Sequence, residues 1–128
     1  MSTALVTGAT AGIGESFTRL LASKGFDLVL VARDKKRLQE RANSLANKYK
    51  VAIEVLQADL SMPAQLARVE KRLSNPKKPI DVLINNVGSF EVGDLSTTKI
   101  KQVEKLLNVN FKATFNITQA YLNDFKNQ

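Results

Sequence analysis

A chain of 128 residues fits one domain around one core, and its 44% hydrophobic and 24% charged content is that of a folded globular protein. With neither cysteine nor histidine, it has no thiolate or imidazole nucleophile, no Ser-His-Asp triad, no zinc finger and no disulfide framework. The formal charge of +7 admits nucleic acid, an anionic surface or a phosphorylated small molecule as partner. The cations gather in "RDKKRLQER" and "NPKKP", without interleaved aromatics, so solvated helix faces explain most of them and no nucleic-acid partner is expected.

The amino terminus "MSTALVTG" lacks a basic flank or a long apolar stretch, and no later apolar run approaches membrane-spanning length. A cytoplasmic protein with no membrane partner is therefore expected. "TALVT" reads as a buried strand. Gly12 to Lys24 reads as a helix with Ile13, Phe17, Leu20 and Leu21 at helical spacing, ended by Gly25. "FDLVLVA" is a second strand, and Asp34 is an N-cap for a helix turning Leu38, Ala42 and Leu45 to a core. "VAIEVLQA" is a third strand. Ser61 then caps a helix with Pro63 in its first turn and Leu66, Val69 and Leu73 inside, broken by "NPKKP". "IDVLINN" is a fourth strand and "VGSFEVGDLS" a loop. Two helices follow, one from about Thr97 with Ile100, Val103 and Leu107, the other from about Phe111 with Phe115, Leu122 and Phe125.

Strands alternating with helices of this length need crossover connections, hence a mostly parallel sheet covered on both faces: the doubly wound α/β architecture. In such sheets ligands sit beyond the carboxyl ends of the strands, next to the first strand, where "LVTGATAGIGESF" lies. Gly8 permits a tight turn, Gly12 lets backbone amides approach a diphosphate, and Gly14 lets the helix pack close to the strand. The amides and dipole of the helix start favour the anion. The spacing is not that of a nucleotide-triphosphate loop, since Gly14 is followed by Glu15 rather than Lys.

"TGATAGIG" resembles the Thr-Gly-x-x-x-Gly-Ile-Gly turn of the short-chain dehydrogenase/reductase family, and "NNVG" at 85–88 its Asn-Asn-Ala-Gly. "ADLS" around Asp59 is similar to the family's adenine-side Asp, and "NVN" ending at Asn110 to the segment with its helix-break asparagine. The four motifs stand in the family's order over nearly the whole chain. The resemblance implies that Gly8, Thr10 and Ile13 line the diphosphate and ribose, that Asp59 and Leu60 meet the adenine, and that Asn86, Val87 and Gly88 flank the adenosine ribose and the sugar bridge. It implies that Thr7 ties the first strand to the Asn-Asn segment. Val87 departs from the family's Ala. Each residue also has a plainer reading: Asp59 as a turn cap, Asn85 and Asn86 as partners of backbone groups, Asn110 as a breaker between two helices.

An NAD site places an acidic side chain about 20 residues beyond the glycine turn. Here that position is Ala32, followed by Arg33, which offers charge-assisted donors to a 2′-phosphate, while Asp34 is committed as a cap. NADP(H) is thus favoured over NAD(H), the alternative being that Arg33 is one more solvated cation. The family's hydride transfer to or from a carbonyl or alcohol uses a Ser and a Tyr with a Lys four residues on. Tyr49 is followed at that spacing by Ile53 and Tyr121 by Phe125, leaving Asn110 as the match to the catalytic group. Residues 1–128 are expected to form an NAD(P)-binding Rossmann-like domain incomplete at its carboxyl end. A non-catalytic nucleotide-binding module is the alternative, and a homo-oligomer is expected.

Overall fold

The computed structural model describes residues 2–88 and 94–126. Four parallel strands, β1 (Thr3–Thr7), β2 (Asp27–Ala32), β3 (Ile53–Gln57) and β4 (Val82–Ile84), form one sheet in the order β3-β2-β1-β4. Helices α1 (Gly12–Ser23), α2 (Lys35–Tyr49) and α3 (Pro63–Leu73) make the crossovers. A short 3₁₀ turn at Leu95–Thr97 precedes α4 (Ile100–Leu107), a π-helical turn (Asn108–Ala113) and α5 (Thr114–Lys126). The "VGSFEVGDLS" loop lies partly outside the described residues.

Alternate strand residues serve two cores, as the pleat requires. Ala4, Val6, Leu28 and Leu30 point to one face, where they pack with Ala22, Leu38, Ala42 and Leu45 of α1 and α2. Leu5, Val29 and Val31 point to the other, against Leu66, Val69 and Leu73 of α3 and Ile117 of α5. Near-continuous apolar strands are what burial on both faces demands. The sheet reverses direction of travel between β1 and β4, which opens a crevice at their carboxyl ends.

Two local expectations need correction and a third needs refinement. Helix α1 does not bury Ile13 and Leu20, which are 68% and 51% exposed; its buried residues are Gly14, Thr18 and Ala22. The helix lies so close to β1 that only small side chains fit between them. Ser61 does not cap α3. Met62 holds the N-cap position without a side-chain bond, because both the amide and the hydroxyl of Ser61 are given to Asp59. Asn110 does lie at the interruption between two helices, α4 and α5, but the interruption is a π turn and not a gap in the helical backbone.

Candidate cofactor-binding site

The first-strand turn is held from below by one buried hydroxyl. Thr7, fully buried, accepts from the amides of Asn86 (3.0 Å) and Val87 (3.1 Å) and donates to the Ile84 carbonyl (3.4 Å). The Asn86 amide group donates to the Gly8 carbonyl at 3.3 Å, closing the β1 turn onto the end of β4. Asn85 instead reaches Thr118 Oγ1 on α5 at 2.8 Å.

Gly8 has φ +63°, and a Cβ there would stand 2.9 Å from Asn86 Nδ2. At Gly14 a Cβ would collide with the Gly8 carbonyl oxygen and lie 2.5 Å from Asn86 Nδ2. Gly12 differs: its φ is +57°, and the space where its Cβ would point is open. The start of α1 has no side-chain cap at Ala11, which leaves its first-turn amides without a side-chain acceptor, as at helix starts that bind anions. Glu15, an acid in this turn, is drawn aside by Arg41 (2.9 Å) and Arg19 (3.2 Å). Helix α2 contrasts with this, since Asp34 accepts from the Arg37 amide at 3.1 Å and closes its own cap.

Above the strand ends lies a cleft of about 310 Å³. Gly8, Thr10 and Ala11 form its floor; Arg33 and Asp59 with Leu60 form the β2–β3 wall; Asn86, Val87 and Gly88 form the β4 side. Ile13, Gly12 and Gly14 do not line it; Gly12 and Ile13 sit exposed at the helix start, and Gly14 is buried against Gly8. Asn110 is exposed on the π turn, its Oδ1 3.7 Å from where a Gly88 Cβ would be. Lys105 and Val109 also line the cleft, and neither stood out in the sequence. The one signal was their spacing, one helical turn apart, with Val109 at the centre of the "NVN" motif.

Asp59 is half-buried. Burial works against its charge, but the Ser61 hydroxyl (2.7 Å) and amide (3.0 Å) outweigh it, with help from Arg33 and Lys105, and hold the carboxyl below the ordinary aspartate value. Its backbone amide donates to Gln65 Oε1 at 2.8 Å. Asp59 thus caps its own turn and also presents an ionised acceptor to the cleft. Tyr121 is remote from this chemistry. Its hydroxyl donates to the Asp81 carbonyl (2.7 Å), before β4, and burial, followed by the charge of Asp81, pushes its phenol up.

An uncapped helix start beyond a glycine turn, at the reversal point of a doubly wound sheet, with an ionised acceptor and cations along the cleft, defines a dinucleotide-binding fold. Residues 2–128 match the short chain dehydrogenase family across the whole of that span. The chain belongs to this family. It is 37% identical over 120 residues to a very-long-chain 3-oxoacyl-CoA reductase of Meyerozyma guilliermondii, covering 91% of this chain and 35% of that protein. A rat protein of the same description is 32% identical over 127 residues, with 93% and 39% covered. Among solved structures, a short-chain dehydrogenase from Sphingobium yanoikuyae in complex with NADPH superposes with a TM-score of 0.93 at 42% identity, covering 98% of this chain and 48% of that one. A bulky-bulky ketone specific alcohol dehydrogenase from Comamonas testosteroni gives 0.93 at 38% identity, with 98% and 49% covered. The chain therefore spans about a third of the first and about half of the solved chains.

Proposed function

We propose that this chain is the cofactor-binding portion of an NADP(H)-dependent oxidoreductase that transfers hydride between the nicotinamide and a carbonyl or alcohol substrate. The observation that carries the NADP(H) assignment is Arg33 on the cleft wall directly after Ala32, with the Asp34 carboxylate turned into the α2 cap. No acid is left at the end of β2 to repel a 2′-phosphate, and a guanidinium is there to receive it. The NADPH complex of the Sphingobium enzyme supports this reading.

In it, the Gly8 turn and the first amides of α1 receive the diphosphate, the Asp59 carboxylate and the Leu60 amide orient the adenine, and Asn86 to Gly88 border the ribose. The bound nicotinamide supplies or accepts the hydride. Asn110 stands beside Gly88 at the inner end and orients water or substrate there. Neither tyrosine is placed to give a proton to the cleft: Tyr121 is engaged at the other end of β4 and Tyr49 lies in the groove between α1 and α2. The reductase names of the relatives favour carbonyl reduction as the direction.

The test is calorimetric. Arg33→Ala should weaken NADPH binding by about 1–2 kcal/mol, the lower part of the range for a charged hydrogen bond because Arg33 is exposed, and leave NADH unchanged. Equal losses for the two cofactors would overturn the NADP(H) assignment.

A further inference from the structure

We propose that Lys105 is a cofactor-binding residue: a cation brought by α4 that faces Arg33 and Asp59 across the cleft and serves NADP(H) and NAD(H) alike. The inference rests on the reading of this cleft as a dinucleotide site. The cleft wall holds three charged side chains, Arg33, Asp59 and Lys105, two positive and one negative. The ion pairs among the described residues join Arg19 and Arg41 to Glu15 and Arg72 to Glu54; Arg33 and Lys105 are in none of them. The cleft therefore keeps a net positive charge of its own, which suits a ligand built around a diphosphate.

Two ordinary roles for a lysine at this place do not account for it. A cation in the last turn of a helix usually answers free carbonyls and the negative end of the dipole. Here the backbone runs on: the Asn108 amide donates to the carbonyls of Glu104 and Lys105, and the π turn continues into α5. Nor is Lys105 on a face turned away from the fold, since Val109, one turn on, is 7% exposed and lines the same cleft.

Its position separates it from Arg33. Arg33 leaves the end of β2, where the ribose of the adenosine lies in the proposed reading, and so answers the 2′-phosphate. Lys105 belongs to a helix that follows β4, at the opposite edge of the sheet from β3, and it lines the cleft together with Asp59 and Leu60, the adenine-side residues of the proposed reading. On that placement it meets the part that both cofactors share. Beside an Asp59 that accepts from an adenine amino group and a Leu60 amide that donates to the ring, an ammonium supplies a further donor for a second ring nitrogen.

The experiment measures the dissociation constants of NADPH and NADH for the 128-residue chain and its Lys105→Ala, Lys105→Arg, Lys105→Glu and Arg33→Ala variants, by calorimetry at one fixed ionic strength. Lys105→Ala should weaken both cofactors by about two- to tenfold, the range of a single net hydrogen bond. Lys105→Glu should weaken both further, Lys105→Arg should stay near wild type, and the NADPH to NADH ratio should hold throughout. Arg33→Ala alone should move that ratio. Because Lys105 is exposed, circular dichroism should be identical across its variants. Unchanged affinities in both Lys105→Ala and Lys105→Glu overturn the proposal, as does a loss confined to NADPH, which would transfer Lys105 to the 2′-phosphate. Uniform losses in the Lys105 variants with an inert Arg33→Ala would uphold Lys105 while removing the NADP(H) assignment. A folded wild-type chain that binds neither cofactor would overturn both.

Discussion

Removing the Thr7 hydroxyl should loosen the cleft from beneath. In Thr7→Val the shape of the side chain is kept, but the amides of Asn86 and Val87, at 3.0 and 3.1 Å, lose their acceptor, and the 3.4 Å bond to Ile84 disappears. An unpaired buried donor costs about 1–3 kcal/mol. Asn86 and Val87 are only half-buried, so each belongs at the low end, and the long Ile84 bond adds little. The sum is about 2 kcal/mol, or about 8 °C in Tm at about 4 °C per kcal/mol for a domain of this size. Urea unfolding followed by circular dichroism reads it as a lower midpoint at unchanged slope. Thr18→Val is the control: Thr18 is 1% exposed, but its hydroxyl donates to the Glu15 carbonyl three residues back, so its loss orphans no amide. It should stay within about 0.5 kcal/mol of wild type. Equal losses in the two variants, or a Thr7→Val midpoint at the wild-type value, would refute the claim that this hydroxyl holds the Asn86–Val87 segment.

Gly14→Ala should cost more than about 2 kcal/mol, since its Cβ meets a backbone carbonyl that cannot give way, whereas Gly12→Ala meets open space and should cost about 1–2 kcal/mol for its positive φ alone; urea midpoints distinguish them. The lowered pKa of Asp59 means that its stabilising contribution is complete above the ordinary aspartate value and is lost as the pH falls through the lower folded value. Asp59→Asn should accordingly flatten the stability profile below the ordinary aspartate value, read as urea midpoints across the acid range. Self-association is expected through the apolar face of α4, the π turn and α5, where Leu107, Phe111, Phe115, Leu122 and Phe125 are each at least half exposed. Light scattering should show a mass that rises with concentration and falls toward monomer in Phe111→Ser and Phe115→Ser.

What the sequence made legible was whatever burial alone decides. The central strands β1 and β2 are apolar runs because both faces are covered, and the cores of α2 and α3 follow the stripe Leu38, Ala42, Leu45 and the stripe Leu66, Val69, Leu73. The same rule misplaces α1, and the reason is distance. Where a helix backbone comes so near a strand that Gly14 has no room for a Cβ, large apolar residues cannot lie between them, and Ile13 and Leu20 are turned outward. The readable signal there is Gly14, Thr18 and Ala22, small residues four apart, rather than the apolar ones beside them. Ser61 leaves its expected cap for a different reason: the cap and an ionised carboxylate two residues earlier compete for one hydroxyl, and the charge wins. The π turn hides most. A π turn shifts the phase of the helix, so the stripe Ile100, Val103 and Leu107 before it does not run on into the buried Val109 and Ala113 within it and Ile117 after it; Ile100 and Leu107 are 68% and 58% exposed. Ile100 and Leu107 thus face outward while Lys105 meets the cleft. The side that Lys105 takes is found by asking which side of the helix the buried Val109 selects, one turn on, and that question needs the fold.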